Sequence, residues 1–378
     1  MYTRSHLIGP GAAAVALLVG LVRPADAQAP PPQPTPWLYG GFIDVAALFD
    51  TNSPANHLFR NRGTTPRVDE LAVNMTAAYF KKTTTESSRV GIEVTLQTGR
   101  DSKLFGFSAT APNIGGADIL LHLGPTDVSY VAPVGNGLTI QGGIFSSLVG
   151  YDSLYAKDNF NYTRPWGADY TPYLMLGVNA AYPLTPRLTV AGMLINGYWH
   201  LASANDVPTS GAQLAFKPND ALTVKQTVLY GPHQAKTSLG FWRVLSDTIV
   251  ERKTSRVTTA FEYQVSTERV ADAAESRAYW MSAQFPVHWS LIGRFSATVR
   301  PEMAWDSDGA AAAPSESERG WGPRAMKDDP QPLASDPGVS ARDPRGHAAH
   351  RAFHDARVRS PAHLARSRAP SGRAAGLQ

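Results

Sequence analysis

The sequence has no cysteine in 378 residues. A secreted soluble domain of this size often carries a disulfide, whereas barrels that cross the periplasm commonly do without. A long apolar run is missing too. Beyond the N-terminus no segment supplies the roughly 20 consecutive apolar residues of a transmembrane helix. Charge is sparse at 17% of residues, while aromatics make up 10%, a mix suited to strands. No window shows sustained helical periodicity. Enzyme signatures are also absent: no G-x-S-x-G elbow, no H-E-x-x-H, no P-loop and no Cys/His metal spacing. An enzyme is therefore not expected, and neither is a catalytic residue, cofactor or metal site.

The net charge of +4 is local. Ala341–Gln378 holds eight Arg against two acidic residues, so the tail alone carries +6 and the rest of the chain −2. The basic balance thus says nothing about nucleic acid. Four of the ten histidines fall in the same tail, at irregular spacing, which argues against a metal-binding tract.

At the other end, "MYTRSHLIGPGAAAVALLVGLVRPADAQAPPP" has a basic start (Arg4, His6), an apolar run over about Ala12–Val22, and Ala25-Asp26-Ala27 before Gln28. This pattern predicts a secretory signal peptide over 1–27, cleaved between Ala27 and Gln28. The alternative is a retained anchor. A Pro-rich leader, 28–36, follows.

From residue 37 the chain alternates apolar and polar residues in strand-length segments. The expected strands lie near 37–50, 68–81, 88–99, 117–131, 137–145, 172–182, 187–198, 211–217, 221–231, 240–251, 256–266, 278–286 and 290–300, thirteen in all. "SRVGIEVTLQTG", residues 88–99, is representative: Val90, Ile92, Val94 and Leu96 share one side, while Arg89, Glu93, Thr95 and Gln97 share the other. In a soluble sandwich the valine side would face the core; in a transmembrane barrel it would face lipid. The connections discriminate. Tight links ("TTTES", "PVGNG", "PLTPR", "KPND", "RKTS", "PVHW") alternate strictly with long ones at 51–67, 100–116, 146–171, 199–210, 232–239 and 267–277. Short turns at one end and long loops at the other are the mark of a bacterial outer-membrane barrel. An antiparallel up-and-down transmembrane β-barrel is the expected fold, with outer-membrane lipid against its outside.

Aromatic placement points the same way. One face of the first strand reads Trp37, Tyr39, Gly41, Ile43, Val45, Ala47, Phe49, with rings at both ends. Comparable lipid-side faces are expected as Leu71/Val73/Met75/Ala77/Tyr79, Val257/Phe261/Tyr263/Val265 and Leu291/Gly293/Phe295/Ala297/Val299. The runs "WLYGGFIDVAALFDTNSPANHLFR", "VSYVAPVGNGLTIQGGIFSSLVGYDSLYAKDNFNYTR", "GVNAAYPLTPRLTVAGMLINGYW" and "RPEMAWDSDG" resemble the putative β-barrel porin-2 (OmpL-like) family over about residues 37–309. The resemblance implies a porin-like barrel and brings no catalytic residues. It matches Asp152, just after Gly150, to an acidic position of the family, and it includes the "NYTR" run.

The face opposite the lipid side collects Asp44, Glu70, Arg89, Glu93, Lys225, Arg256, Glu262, Arg294 and Arg300. A charged wall selecting small hydrophilic solutes or ions is one reading; a salt-bridge lattice filling a narrow barrel is the other. The long connection 146–171 is expected to fold inward and narrow the channel. Asp152, Asp158 and Asp169 would supply acid, with Arg256, Arg294 or Arg300 opposite. Its alternative is a surface loop. Trimers are common among porins, but nothing in the sequence locates an interface for a homo-oligomer. The tail 310–378, rich in Arg, Ala, Pro, His and Ser, cannot bury a core. It reads as low-complexity chain, either disordered or the product of a shifted frame. Thirteen strands is also an odd number, whereas single-chain bacterial barrels close with an even one, so the barrel is expected to be incomplete at its C-terminal end.

Overall fold

The computed structural model describes residues 37–55, 57, 64–65, 67–85, 88–104, 117–198, 201–203, 205–232, 238–269, 277–292 and 295–306. The signal and leader (1–36, with Ala27 and Gln28), Arg294 and the tail from 307 lie outside these residues.

Every regular strand pairs antiparallel with its neighbour in one sheet. The order is β1 (Trp37–Leu48), β2 (Glu70–Lys82), β3 (Val90–Thr98), β4 (Leu123–Ala132), β5 (Leu138–Ser146), β6 (Leu174–Thr185), β7 (Leu188–Ile195), β8 (Thr209–Asn219), β9 (Leu222–Pro232), β10 (Trp242–Lys253), β11 (Val257–Arg269) and β12 (Arg277–Gln284). Three short segments finish it: β13 (Val287–Ser290), β14 (Ser296–Val299) and β15 (Glu302–Trp305). Ala117–His122 is a 3-10 turn, so β4 begins later than its alternation suggests.

The last four segments are two passes of the chain, each broken once. β12 and β13 both run beside β11; β14 pairs with β13 and β15 with β12. The breaks fall at Phe285–Pro286 and Arg300–Pro301, since proline has no N–H to give the ladder. The Pro286 and Pro301 carbonyls still accept, from Ala260 N–H at 3.0 Å and Phe285 N–H at 2.9 Å. Among the described residues the fifteen strands therefore make thirteen passes. Among the described residues the last reversal of the chain comes after Leu291, whose N–H donates to the Phe295 carbonyl at 2.9 Å, and not at "PVHW". Leu291 and Phe295 thus belong to a turn and not to a lipid-facing strand.

The side chains answer which face is which. Tyr39 is 82% exposed and Ile43 71%, and Val90, Ile92, Val94 and Leu96 are all exposed, so the valine side of β3 is the outer surface. Trp37 stacks on Phe80 at 4.9 Å on that same outside. One expected face is wrong beyond its second residue. Leu71 is 75% exposed, but Met75 is 0% and Ala77 4%. Between Asp44 and Val45 the register of β1 skips Asn74, a β-bulge that adds one residue and reverses the alternation. Beyond it, Ala78 and Phe80 face out and Tyr79 turns inward.

Among the described residues β1 pairs only with β2, and β15 only with β12. The sheet is open between them. The buried apolar cluster, including Met75, Phe145, Met175, Leu229, Leu245 and Trp280, lies on the inner face, against segments that enter from the long connections.

Candidate functional site

The connection between β5 and β6, residues 147–173, lies inside the curled sheet. Its contacts reach both ends of the strand order. On the first strands, the Tyr162 hydroxyl donates to Asp44 at 2.7 Å and accepts from Asn74 at 2.8 Å; Tyr155 donates to Gln97 of β3 at 2.8 Å. On the last passes, Glu302 accepts from Trp166 N–H at 3.0 Å, and Arg300 donates to the Thr163 carbonyl and faces its hydroxyl at 3.4 Å. A segment that touches β1 and β15 at once can do so only if the sheet wraps around it.

The middle of the wall is acidic where the segment enters. Gly150, at φ +91°, turns the chain so that its N–H donates to Asp247 of β10 at 2.8 Å. The next N–H, of Tyr151, donates to Glu262 of β11 at 2.8 Å. Left-handed φ is tolerated by glycine, which explains its place at this corner. Asp152 accepts from Gln284 of β12 at 2.8 Å. Burial pushes its carboxyl pKa up, partly offset by that amide and by Arg300 and Arg164. Burial likewise pushes the phenols of Tyr151, Tyr155 and Tyr162 up, so they act as neutral donors. A Cβ on Gly167 would stand 2.1 Å from Ser282 Oγ, which is how close the segment comes to the wall.

Below this seat a cavity of about 320 Å³ remains. The segment lines it with Tyr151, Asp158 and Phe160, and the wall with Lys225, Ile249 and Glu251. Tyr151 donates to Glu251 at 2.7 Å, Asp158 pairs with the neighbouring Lys157 at 2.6 Å, and Phe160 stacks on His288 of β13 at 4.1 Å. Among the described residues no cluster of His, Asp or Glu has the arrangement to hold a metal ion.

The family model described as putative β-barrel porin-2, OmpL-like, matches residues 38–336. The chain belongs to that family. The match runs past residue 309, where the resemblance read from the sequence ended. Among solved structures, Pseudomonas aeruginosa OccK1 (OpdK) is similar at 12% identity and TM-score 0.35, covering 76% of this chain and 69% of its own. The same organism's OpdK with vanillate gives 10%, 0.34, 76% and 69%. Its OpdO gives 10% and 0.26, over 63% of this chain and 86% of its own. No curated protein matches the sequence.

In this OmpL-like protein the expected site residues separate into three groups. Asp44, Asp152, Glu262 and Arg300 meet at the inward segment, and Lys225 and Asp158 face the cavity. Glu93 pairs with Lys81 at 2.6 Å, and Glu70 with Arg67 at 2.6 Å, as parts of the wall. Arg89 and Arg256 do not oppose the acids: both are exposed at the tight-turn end, because the strand alternation that sets a face stops where the turn begins. Asp169 falls in the 3-10 turn Gly167–Tyr170, and its side chain lies outside the described residues, as does Arg294.

The sequence reading missed Arg164. It is 0% exposed, 3.4 Å from Asp101, which is also 0% exposed and accepts the Thr65 N–H at 2.8 Å. Arg164 donates as well to the Leu154 carbonyl. The signal was present in "NYTR": Tyr162 anchors the segment to β1 and β2, Thr163 to Arg300, and Arg164 to Asp101 in the connection after β3.

Proposed function

We propose that the protein is a constricted outer-membrane channel for passive, weakly selective diffusion of small hydrophilic solutes, with residues 147–173 forming its narrowest part. Family membership supports a porin-like outer-membrane barrel and no catalytic role. The observation that carries the constriction is the 147–173 segment seated inside the sheet, with a charged cavity left beside it. Lys225 and Glu251 on the wall and Asp158 on the segment put both signs at this passage, where fixed charge sets ion preference. Planar-bilayer recordings of the purified protein test it. Discrete conductance steps are expected, with Lys225→Gln shifting the reversal potential toward cations and the pair Asp158→Asn, Glu251→Gln toward anions. Absence of any conductance would favour a second reading, a plugged barrel with a structural or surface-binding role. The apolar cluster around Phe145, Leu245 and Trp280 on the inner face supports that reading. Export by a signal cleaved after Ala27 belongs to the proposal as well; an N-terminus beginning at Gln28 in the purified protein is its expected outcome.

A further inference from the structure

The cavity beside the inward segment holds charges of both signs that do not meet. Lys225 of β9 and Ile249 of β10 are direct cross-strand partners, and Glu251 lies two residues beyond Ile249 on the same inner side. Diagonal neighbours of this kind stand roughly 7–8 Å apart, within reach of long side chains. Yet Lys225 makes no hydrogen bond or ion pair among the described residues, and it is exposed although it faces inward. Glu251 is engaged instead by the Tyr151 hydroxyl, which donates to it at 2.7 Å. Asp247 lies within the field of Lys225, but it is buried and accepts the Gly150 N–H at 2.8 Å. From the segment, Asp158 adds a carboxylate that Lys157 balances at 2.6 Å. Asp152 lines the cavity too, but its carboxyl accepts from Gln284 at 2.8 Å. Phe160 and Ile249 give the lining its apolar surface.

This arrangement discriminates by the pattern of charge. A net anion gains from Lys225 and is repelled by Glu251, and a net cation meets the reverse. A small zwitterion gains at both ends. A primary ammonium can also donate to more than one carboxylate at once. At about 320 Å³ the cavity is of a size that takes a small solute. We propose that it is a subsite for free α-amino acids. The carboxylate meets Lys225, the ammonium meets Glu251 and Asp158, and the side chain lies against Phe160 and Ile249. The subsite rests on the channel reading above and narrows its weak selectivity to a preference for zwitterions.

The test uses the full chain in detergent micelles, its fold checked by heat-modifiable gel mobility. Saturation-transfer NMR ranks the binding of four molecules of one skeleton at mildly acidic pH, where every amine is charged. They are L-alanine, the anion L-lactate, the cation L-alaninamide and the neutral L-lactamide. Alanine should bind roughly fivefold tighter than each of the others, since two exposed ion pairs replace one or none. Lys225→Gln should abolish its advantage over alaninamide. Glu251→Gln, which keeps an oxygen for Tyr151, should abolish its advantage over lactate. Equal binding of all four by the wild type, or binding of none, overturns the proposal, and that comparison stands even if a variant fails to fold. Tighter binding of lactate or alaninamide than of alanine overturns it in favour of a simple ion site. Folded variants that keep the wild-type ranking overturn it as well, because they place the alanine elsewhere. Conductance is a separate readout. Ranked binding in a silent barrel would sink the channel and leave the subsite standing, whereas conductance without the ranking would do the opposite.

Discussion

Asp152 shows how one buried carboxyl sets the grip of the inward segment. Its folded-state pKa is raised by burial, so the protonated form is the one the seat favours. A raised pKa contributes stability that is whole below the ordinary carboxyl value and is lost as pH rises through the raised one. The segment should therefore hold most firmly in acid and loosen as pH rises above the ordinary carboxyl range. Asp152→Asn keeps an oxygen for the Gln284 amide but cannot ionise, so it should remove this part of the pH response. Lys157 is exposed on the same segment and offers a tryptic site. The ratio of wild-type to variant cleavage at Lys157, which cancels the protease's own pH profile, should rise with pH. A flat ratio would mean that the charge of Asp152 does not govern the seat.

At the scale of the strand, period two decides which substitutions the sheet accepts. Val94 and Glu93 are adjacent in β3, one outward and one inward beside Lys81. Arginine at an outward position near the bilayer midplane costs about 2–4 kcal/mol, whereas the inner face meets water or polar partners. Val94→Arg should lower the unfolding free energy in lipid vesicles by that order, and Glu93→Gln by less, through loss of an exchangeable ion pair. Equal losses would contradict the assignment of faces. Such faces were legible in the sequence because most strands alternate without interruption, and β1, β3 and β11 matched their expected outward residues. Asn74 was not legible. A bulge leaves no mark in composition, and the partner that exposes it, Asp44–Val45, lies some thirty residues away in another strand. Nor could alternation see that Pro286 and Pro301 would each split a pass in two. The inward segment was readable as acidic and long, but its seat depends on partners up to 137 residues distant, which no local pattern encodes.

Across the whole molecule, residues 147–173 act as the tie between the two open edges of the sheet. Unpaired backbone groups at membrane depth cost several kcal/mol each, so the curl that brings β1 and β15 around one segment matters to stability as well as to the passage. Arg164 is the strongest point of that tie. It reaches Asp101, which in turn holds Thr65, so it joins the inward segment to the connections on either side of β2 and β3. Removing one partner of a buried ion pair leaves the other charge unpaired, at a cost of roughly 3–5 kcal/mol. Arg164→Ala should therefore release the segment and, with it, the hold of Tyr162 on Asp44 and Asn74. Three results are expected together: a lower melting temperature in detergent, faster cleavage at Lys157, and larger, noisier conductance in bilayers. Arg164→Lys should recover only part of each, since a lysine keeps the charge but not the fork that spans Asp101 and the Leu154 carbonyl. If Arg164→Ala lowers stability while conductance and cleavage stay at wild-type levels, the segment does not stand in the path of the solute, and the narrowest part of the channel must be the wall itself.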